Sequence, residues 1–254
     1  MQLLIIQHVP HEGAGVFGPV FREAGCSLRT LNAADPKVTW PRLNGIDGLV
    51  VMGGPQSVYQ QARYPFLRNE IALLQDALKA KRPILGVCLG SQLLAAALGA
   101  KVTANPQQEI GWYPLMREPG ADRDALCETF GQTETVFQWH GDTFALPKGA
   151  TRLFSSPVCP EQGFRYRDNV YALQFHVEVT HAMIRAWLQV PANRAELARL
   201  QRVIDPAAIR QQTPQHIGRL GELARHVAAS FCRLMSTGAP SSSRPSSEVM
   251  PHAR

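Results

Sequence analysis

Residues 83–99 read PILGVCLGSQLLAAALG, and this stretch decides the fold. The apolar run at 84–87 predicts a buried parallel strand, and the Ala/Leu-rich segment behind it predicts a helix that ends at Gly99. Cys88 therefore stands at the turn between a strand and a helix.

Two glycines flank this cysteine. Gly86 and Gly90 lack a Cβ, so they permit a tight turn that pushes the Cys88 side chain out of the C-terminal edge of the sheet. The helix N-terminus directs its free N–H groups and its positive dipole end at Cys88, which favours a thiolate and can hold an oxyanion. The sequence thus predicts a nucleophile elbow built on sulfur.

Apolar runs before the elbow predict strands at 3–7, 27–31 and 47–52, with helices over 13–25 and 65–81. Such strands, joined through helices, indicate an α/β fold in which helices cover both faces of a mostly parallel central sheet. In sheets of this kind, functional groups gather at the C-terminal ends of the strands.

The middle of the chain has a different pattern. Residues 109–116 and 133–139 alternate or run apolar at strand spacing, which predicts additional β-hairpin structure. Residues 139–142, Trp-His-Gly-Asp, are expected to end a strand in a polar turn. A histidine in such a turn is most often satisfied by local hydrogen bonds, and a direct functional role for it is the alternative.

The last quarter of the chain is predicted to be helical. A helix is expected over 180–188, and the apolar stripes in 192–235 predict helices broken near Pro206 and Pro214. We expect a main domain at residues 1–190, a C-terminal helical extension packed on it at 191–236, and a disordered tail rich in Ser and Pro at 237–254.

Composition excludes several classes of protein. Hydrophobic residues make up 45% of the chain and charged residues 18%, and no apolar stretch approaches a membrane span, so no membrane association is expected. The five cysteines are widely spaced and odd in number, which favours reduced thiols and a cytoplasmic protein. The net charge of +6 comes from scattered basic residues, so no nucleic-acid partner is expected.

Two further motifs carry chemistry. Gly53 and Gly54 follow the strand at 47–52, where glycines let the backbone approach a ligand and offer an N–H to a developing negative charge; the alternative is a plain Gly-Gly-Pro turn. His176 and Glu178 lie two residues apart in a predicted strand at 171–180, so both side chains emerge on one face.

The Glu178 carboxylate can then fix the tautomer of His176 and support its positive form. With Cys88, this pair fits the base and the orienter of a nucleophilic triad. Metal ligation by His176 and His181 is the weaker alternative, because no third ligand falls at a suitable spacing. We therefore expect neither a metal nor a cofactor.

These motifs together resemble the class I glutamine amidotransferase family. The nucleophile motif Gly-x-Cys-x-Gly-x-Gln occupies 86–92, the glycine loop 53–55 and the His-x-Glu motif 176–178. Val177 stands where many members have proline, a change that leaves the triad chemistry intact. The segments at 52–55, 139–142 and 174–176 are most similar to the glutaminase domain of GMP synthase and its stand-alone relatives.

The resemblance implies a flavodoxin-like fold and assigns roles. Cys88, His176 and Glu178 match the catalytic triad, and the backbone N–H groups of Gly54 and Leu89 match the oxyanion hole. The positions that match contacts to the substrate are Gly53, Gln92, His140 and Gly141.

The resemblance leaves three functions open. The chain is expected to hydrolyse glutamine or another γ-glutamyl compound, a small-molecule substrate, through a γ-glutamyl thioester on Cys88. It could instead be a glutaminase subunit that delivers ammonia to a synthetase on a separate chain, as in GMP synthase. The third reading, a non-enzymatic regulatory member of the fold, is the weakest because all three triad residues are present.

Overall fold

A computed structural model describes residues 1–238. The strands within this part of the chain are β1 (Gln2–Gln7), β2 (Ser27–Asn32), β3 (Gly48–Val51), β4 (Ile84–Val87), β5 (Val102–Arg117), β6 (Thr133–Phe144), β7 (Ala150–Ser155), β8 (Gly163–Tyr166) and β9 (Val170–Leu173). The helices are α1 (Phe17–Glu23), α2 (Phe66–Lys79), α3 (Leu89–Ala97), α4 (His181–Trp187), α5 (Pro191–Arg199) and α6 (Pro206–Gly238), with a short 3-10 turn at Pro119–Ala121.

All these strands form one sheet in the order β2-β1-β3-β4-β9-β8-β7-β5-β6. The first five strands of that order are parallel to one another, and the remaining pairs are antiparallel. The α/β fold predicted from the sequence is confirmed. The hairpin structure expected in the middle of the chain extends the same sheet, which makes the sheet mixed.

Each face of the sheet has its own apolar core. In β1, Leu3 and Ile5 join a core with α1, α4, α5 and α6, whereas Leu4 and Ile6 join a core with α2 and α3. This split follows from the two-residue period of a strand, which turns alternate side chains to opposite faces. Helices therefore cover both faces, as expected for parallel strands that are apolar throughout.

The C-terminal helices differ from the prediction in where they break. Pro206 begins α6, where its missing N–H needs no partner, but Pro214 lies inside the helix and does not interrupt it. Pro214 and Arg210, whose carbonyl loses its helical donor, are both exposed, so water can replace the missing bond. The opposite side of α6 is buried, with Val227 and Phe231 fully so, and this burial holds the helix together across the proline.

Helix α6 extends to Gly238, so the first two residues of the predicted tail are helical. The rest of that tail, 239–254, lies outside the described residues.

Two strand predictions near the site are wrong. The strand predicted at 171–180 ends at Leu173, and His176 keeps only a single bridge to Phe137. Phe175, Val177 and Val179 are nonetheless fully buried, and the polar residues between them, His176 and Glu178, are almost completely buried as well. The alternation of apolar and polar residues therefore occurs in this segment without strand pairing.

The expected polar turn at 139–142 is instead part of β6, which runs on to Phe144. Its partner β5 continues to pair with it beyond an irregularity between Ala104 and Glu109. Polar residues are tolerated in this part of the hairpin because it faces a cavity.

Candidate active site

Cys88 lies at the sharp turn between β4 and α3. Its backbone has φ 51° and ψ −110°, a conformation that costs energy for any residue other than glycine. A Cβ at Gly86 would lie within 2.9 Å of the Ser91 nitrogen, and a Cβ at Gly90 would collide with the Val51 carbonyl. Both flanking glycines are therefore required for α3 to begin directly behind the cysteine.

His176 and Glu178 follow the end of β9. His176 Nδ1 lies 2.8 Å from Glu178 Oε1, and both side chains are almost completely buried. The His176 N–H donates to the Phe137 carbonyl at 2.8 Å, and the Trp187 ring meets the imidazole edge to face at 4.8 Å between centroids. Backbone pairing and this aromatic contact fix the imidazole, so the pair is preorganised without a strand.

The environment of His176 favours its charged form. Burial lowers its pKa, but the charges of Glu178 and Cys88, together with the hydrogen bond to Glu178, outweigh burial and raise the pKa of His176 well above its ordinary value. Because Nδ1 faces Glu178, Nε2 is the nitrogen available to the sulfur. The structure thus brings a thiol, an imidazole and a carboxylate together in that order.

Two backbone donors border the sulfur. Within residues 1–238, the N–H groups of Gly54 and Leu89 donate to no protein acceptor. Leu89 is the first residue of α3, where N–H groups lack helical partners and the dipole favours negative charge. Gly53 lies against His176 and Cys88, since a Cβ there would lie 3.0 Å from His176 Cε1 and 3.6 Å from Cys88 Cβ. Free donors at these positions can stabilise an oxyanion.

These groups open onto a cavity of about 480 Å³. Of the residues singled out in the sequence, the cavity wall includes Gly54, Cys88, Leu89, Gln92, His140, Gly141 and His176, whereas Gly53 and Glu178 lie behind it. The sequence motifs, scattered over more than a hundred residues, therefore meet in one place.

The polar side chains predicted to contact substrate already have protein partners. Gln92 Nε2 lies 3.1 Å from Gln174 Oε1, and His140 is held between the Asp142 carbonyl at 2.9 Å and Glu109 at 3.1 Å. This agrees with the expectation that His140 is satisfied by hydrogen bonds, although it also reaches the cavity wall.

One group of donor atoms has metal-like spacing. The ligand atoms of Glu109, His140 and Cys159 all lie within 4.8 Å of one another. Glu109 is nonetheless occupied by hydrogen bonds from Gln162 at 2.6 Å and Ser156 at 2.8 Å. A buried hydrogen-bond network explains the group without a metal.

Several residues of the cavity were not singled out from the sequence. Glu12 lies in the loop after β1, and burial raises the pKa of its carboxyl although His176 and His8 oppose this. Its position after a strand end was the one available signal. Trp187 and Glu196 come from α4 and α5, whose patterns indicated only packing.

In the part of the chain described, no helix is long and apolar enough to cross a membrane.

Comparisons with known proteins agree with the fold and the motifs. The family model described as glutamine amidotransferase class-I matches residues 20–187. The glutamine amidotransferase-like protein YfeJ of Salmonella typhimurium is 34% identical over 79% of this chain and 84% of its own length. A crystal structure of a glutamine amidotransferase from Thermotoga maritima superimposes with a TM-score of 0.82 at 35% identity, over 91% of this chain and 98% of that one.

A GMP synthase from Porphyromonas gingivalis is 30% identical over 71% of this chain, which spans only 34% of that enzyme. The match to the family model alone covers well over half of the sequence. The chain belongs to the class I glutamine amidotransferase family.

Proposed function

We propose that this chain hydrolyses glutamine or a related γ-glutamyl amide through a thioester on Cys88. The observation that carries the proposal is the meeting of Cys88, at a strained elbow, with the His176–Glu178 pair at the wall of one cavity. The Glu109–His140–Cys159 group also combines a carboxylate, an imidazole and a thiol, but Cys159 is not part of the cavity wall, whereas Cys88 is.

The chemistry follows from the geometry. The Cys88 sulfur attacks the amide carbon, and the carbonyl electron pair moves to oxygen, where the N–H groups of Gly54 and Leu89 can receive it. The tetrahedral intermediate then expels ammonia or an amine, which takes a proton from His176 Nε2. A γ-glutamyl thioester remains.

Hydrolysis reverses the roles. His176 takes a proton from water, the hydroxyl oxygen attacks the thioester carbon, and collapse of the second intermediate releases glutamate and the Cys88 thiolate. Glu178 positions the imidazole throughout, because it accepts the Nδ1 hydrogen and stabilises the positive charge. Gln92, His140, Gly141 and the Gly53 loop are the proposed substrate contacts.

A second function has support of its own. Since the chain matches only about a third of a GMP synthase, it can correspond to the glutaminase part of such an enzyme. In that case ammonia would pass to a synthetase on a separate chain. Low activity of the purified protein, restored by a partner, would single out this alternative.

The test compares wild type with Cys88→Ala on glutamine and a panel of γ-glutamyl amides, with release of ammonia or amine as the readout. Cys26→Ala is the matched control, because that cysteine has the same exposed fraction of 6%. We expect hydrolysis that Cys88→Ala abolishes and Cys26→Ala leaves unchanged. No release from any substrate by the wild type would refute a self-sufficient hydrolase.

A further inference from the structure

A second buried histidine–glutamate pair lies beneath the glycine loop. His8 follows β1, and its Nε2 lies 2.9 Å from Glu70 Oε2 on α2, with both side chains fully buried. The other ring nitrogen, Nδ1, lies 2.8 Å from the Gly53 carbonyl oxygen. A carbonyl and a carboxylate are both acceptors, so the ring donates from both nitrogens when it is protonated. Burial lowers the pKa of His8, but Glu70 and the Gly53 carbonyl raise it above the ordinary value.

The carbonyl that His8 holds belongs to the same peptide group as the Gly54 N–H. Residues 1–238 contain no cis peptide bond, and in a trans peptide the C=O and N–H point in opposite directions. A hydrogen bond that fixes the Gly53 oxygen toward His8 therefore turns the Gly54 hydrogen away from His8. Glycines on both sides of the peptide make such control necessary, since they allow it to rotate.

The glycine loop at 53–55 also packs directly against the His8 side chain. A Cβ on Gly54 would lie 2.8 Å from His8 Cβ and 3.0 Å from its Cγ, whereas a Cβ on Gly53 would lie 3.6 Å from Cys88 Cβ. The Gly53–Gly54 peptide is thus held between the imidazole and the cysteine.

We propose that His8 is a positioning residue that aims the Gly54 N–H at the oxyanion formed on Cys88, and that Glu70 holds the His8 ring in place. The inference rests on the proposed function, since it assumes an acyl intermediate on Cys88. Apolar residues of similar volume often stabilise a core at least as well as a buried ion pair, so packing alone gives no reason for the pair. Among the described residues, Glu70 Oε1 has no hydrogen-bond partner, which adds to the cost.

Two amide substitutions separate the contacts of the ring. In His8→Asn, the amide nitrogen takes the place of Nδ1 and can still donate to the Gly53 carbonyl. In His8→Gln, the longer side chain places its amide near Nε2, so that the contact to Glu70 survives and the donor to Gly53 is lost. Both variants are polar and uncharged at position 8, so the difference between them is whether the donor to the Gly53 carbonyl is kept.

Two reagents report on Cys88 without a natural substrate. Acylation by p-nitrophenyl butyrate passes through a tetrahedral oxyanion and releases p-nitrophenolate, whereas alkylation by iodoacetamide displaces iodide and forms no oxyanion. We expect His8→Gln to slow acylation by roughly 10²- to 10³-fold, the usual effect of losing one oxyanion donor. His8→Asn should retain most of the acylation rate, and both variants should be alkylated like wild type.

Equal acylation by the two variants, or equal losses of acylation and alkylation in His8→Gln, would overturn the positioning role. A wild-type Cys88 that is alkylated but not acylated would overturn it as well. Failure of the proposed function gives a different result: normal acylation that depends on His8, together with no hydrolysis of any γ-glutamyl amide.

Discussion

Replacing Glu178 with glutamine tests how the imidazole is activated. Glutamine has nearly the same shape, and its amide oxygen can still accept the Nδ1 hydrogen of His176, so the tautomer is kept. The variant loses the negative charge at 2.8 Å from the ring. Any change in rate therefore measures the support that the carboxylate gives to the imidazolium.

The size of the effect follows from the hydrogen bond itself. A bond to a charged group contributes about 1.5–3 kcal/mol and a neutral one about 1 kcal/mol, so the substitution removes roughly 1–2 kcal/mol. This corresponds to a loss of about 5- to 30-fold in kcat/KM. Glu178→Ala removes the whole interaction and the orientation of the ring, and is expected to cost about 10- to 150-fold or more.

The pH profile supplies an independent readout. Because Glu178 and Cys88 raise the pKa of His176, the imidazolium proposed to protonate the leaving amine persists to higher pH than in free histidine. Removing the carboxylate lowers that pKa, and the high-pH limb of kcat/KM must move to lower pH. The assay is ammonia release from glutamine over a pH series, with the exposed Glu222→Gln as the control. A Glu178→Gln variant with undiminished kcat/KM and an unmoved limb would refute the role assigned to the carboxylate.

Two substitutions outside the triad test the scaffold. Phe231→Ala empties a fully buried position where α6 meets Phe21 of α1. Denaturant titrations should show a free energy of unfolding lower by about 3–5 kcal/mol. A loss below about 1 kcal/mol would show that α6 is not part of the core. Gly90→Ala should force α3 away from the Val51 carbonyl, displace Cys88 and reduce turnover by about 100-fold. The control Gly218→Ala should leave turnover unchanged, because a Cβ there meets no atom within 4 Å. A Gly90→Ala enzyme with wild-type turnover would contradict the steric argument.

The elbow was predictable because its causes are local. An apolar strand, two glycines and an Ala/Leu-rich helix stand next to each other in the chain, and the structure has them at 84–87 and 89–97. The steric need for Gly86 and Gly90 was inferred from the turn alone, and the contacts that a Cβ would make agree with it.

The prediction for His176 and Glu178 had a different outcome. Their proximity was foreseen from a strand that does not exist at those positions. Apolar and polar residues alternate there although the segment is buried throughout and not paired as a strand, so the pattern could not distinguish a strand from a buried irregular segment. The 2.8 Å contact arises in an irregular segment held by one bridge to Phe137.

Helix α6 illustrates the limit of local rules in another way. A proline in a sequence predicts a break, since one hydrogen bond is lost. At Pro214 the lost bond faces solvent while the other side of the helix is buried in the core, a balance that depends on the tertiary structure. No window of sequence contains that information.

The unfavourable features of the molecule are concentrated at one edge of the sheet. The positive φ of Cys88, the His176–Glu178 and His8–Glu70 pairs, and the Gly54 N–H without a protein acceptor all lie where β1, β3, β4 and β9 end. Each costs stability and none is required by packing, which is the pattern expected where function opposes folding. Sequence patterns identify such features when glycines accompany them, as at Cys88, and miss them when the partner lies on a distant helix, as Glu70 does for His8.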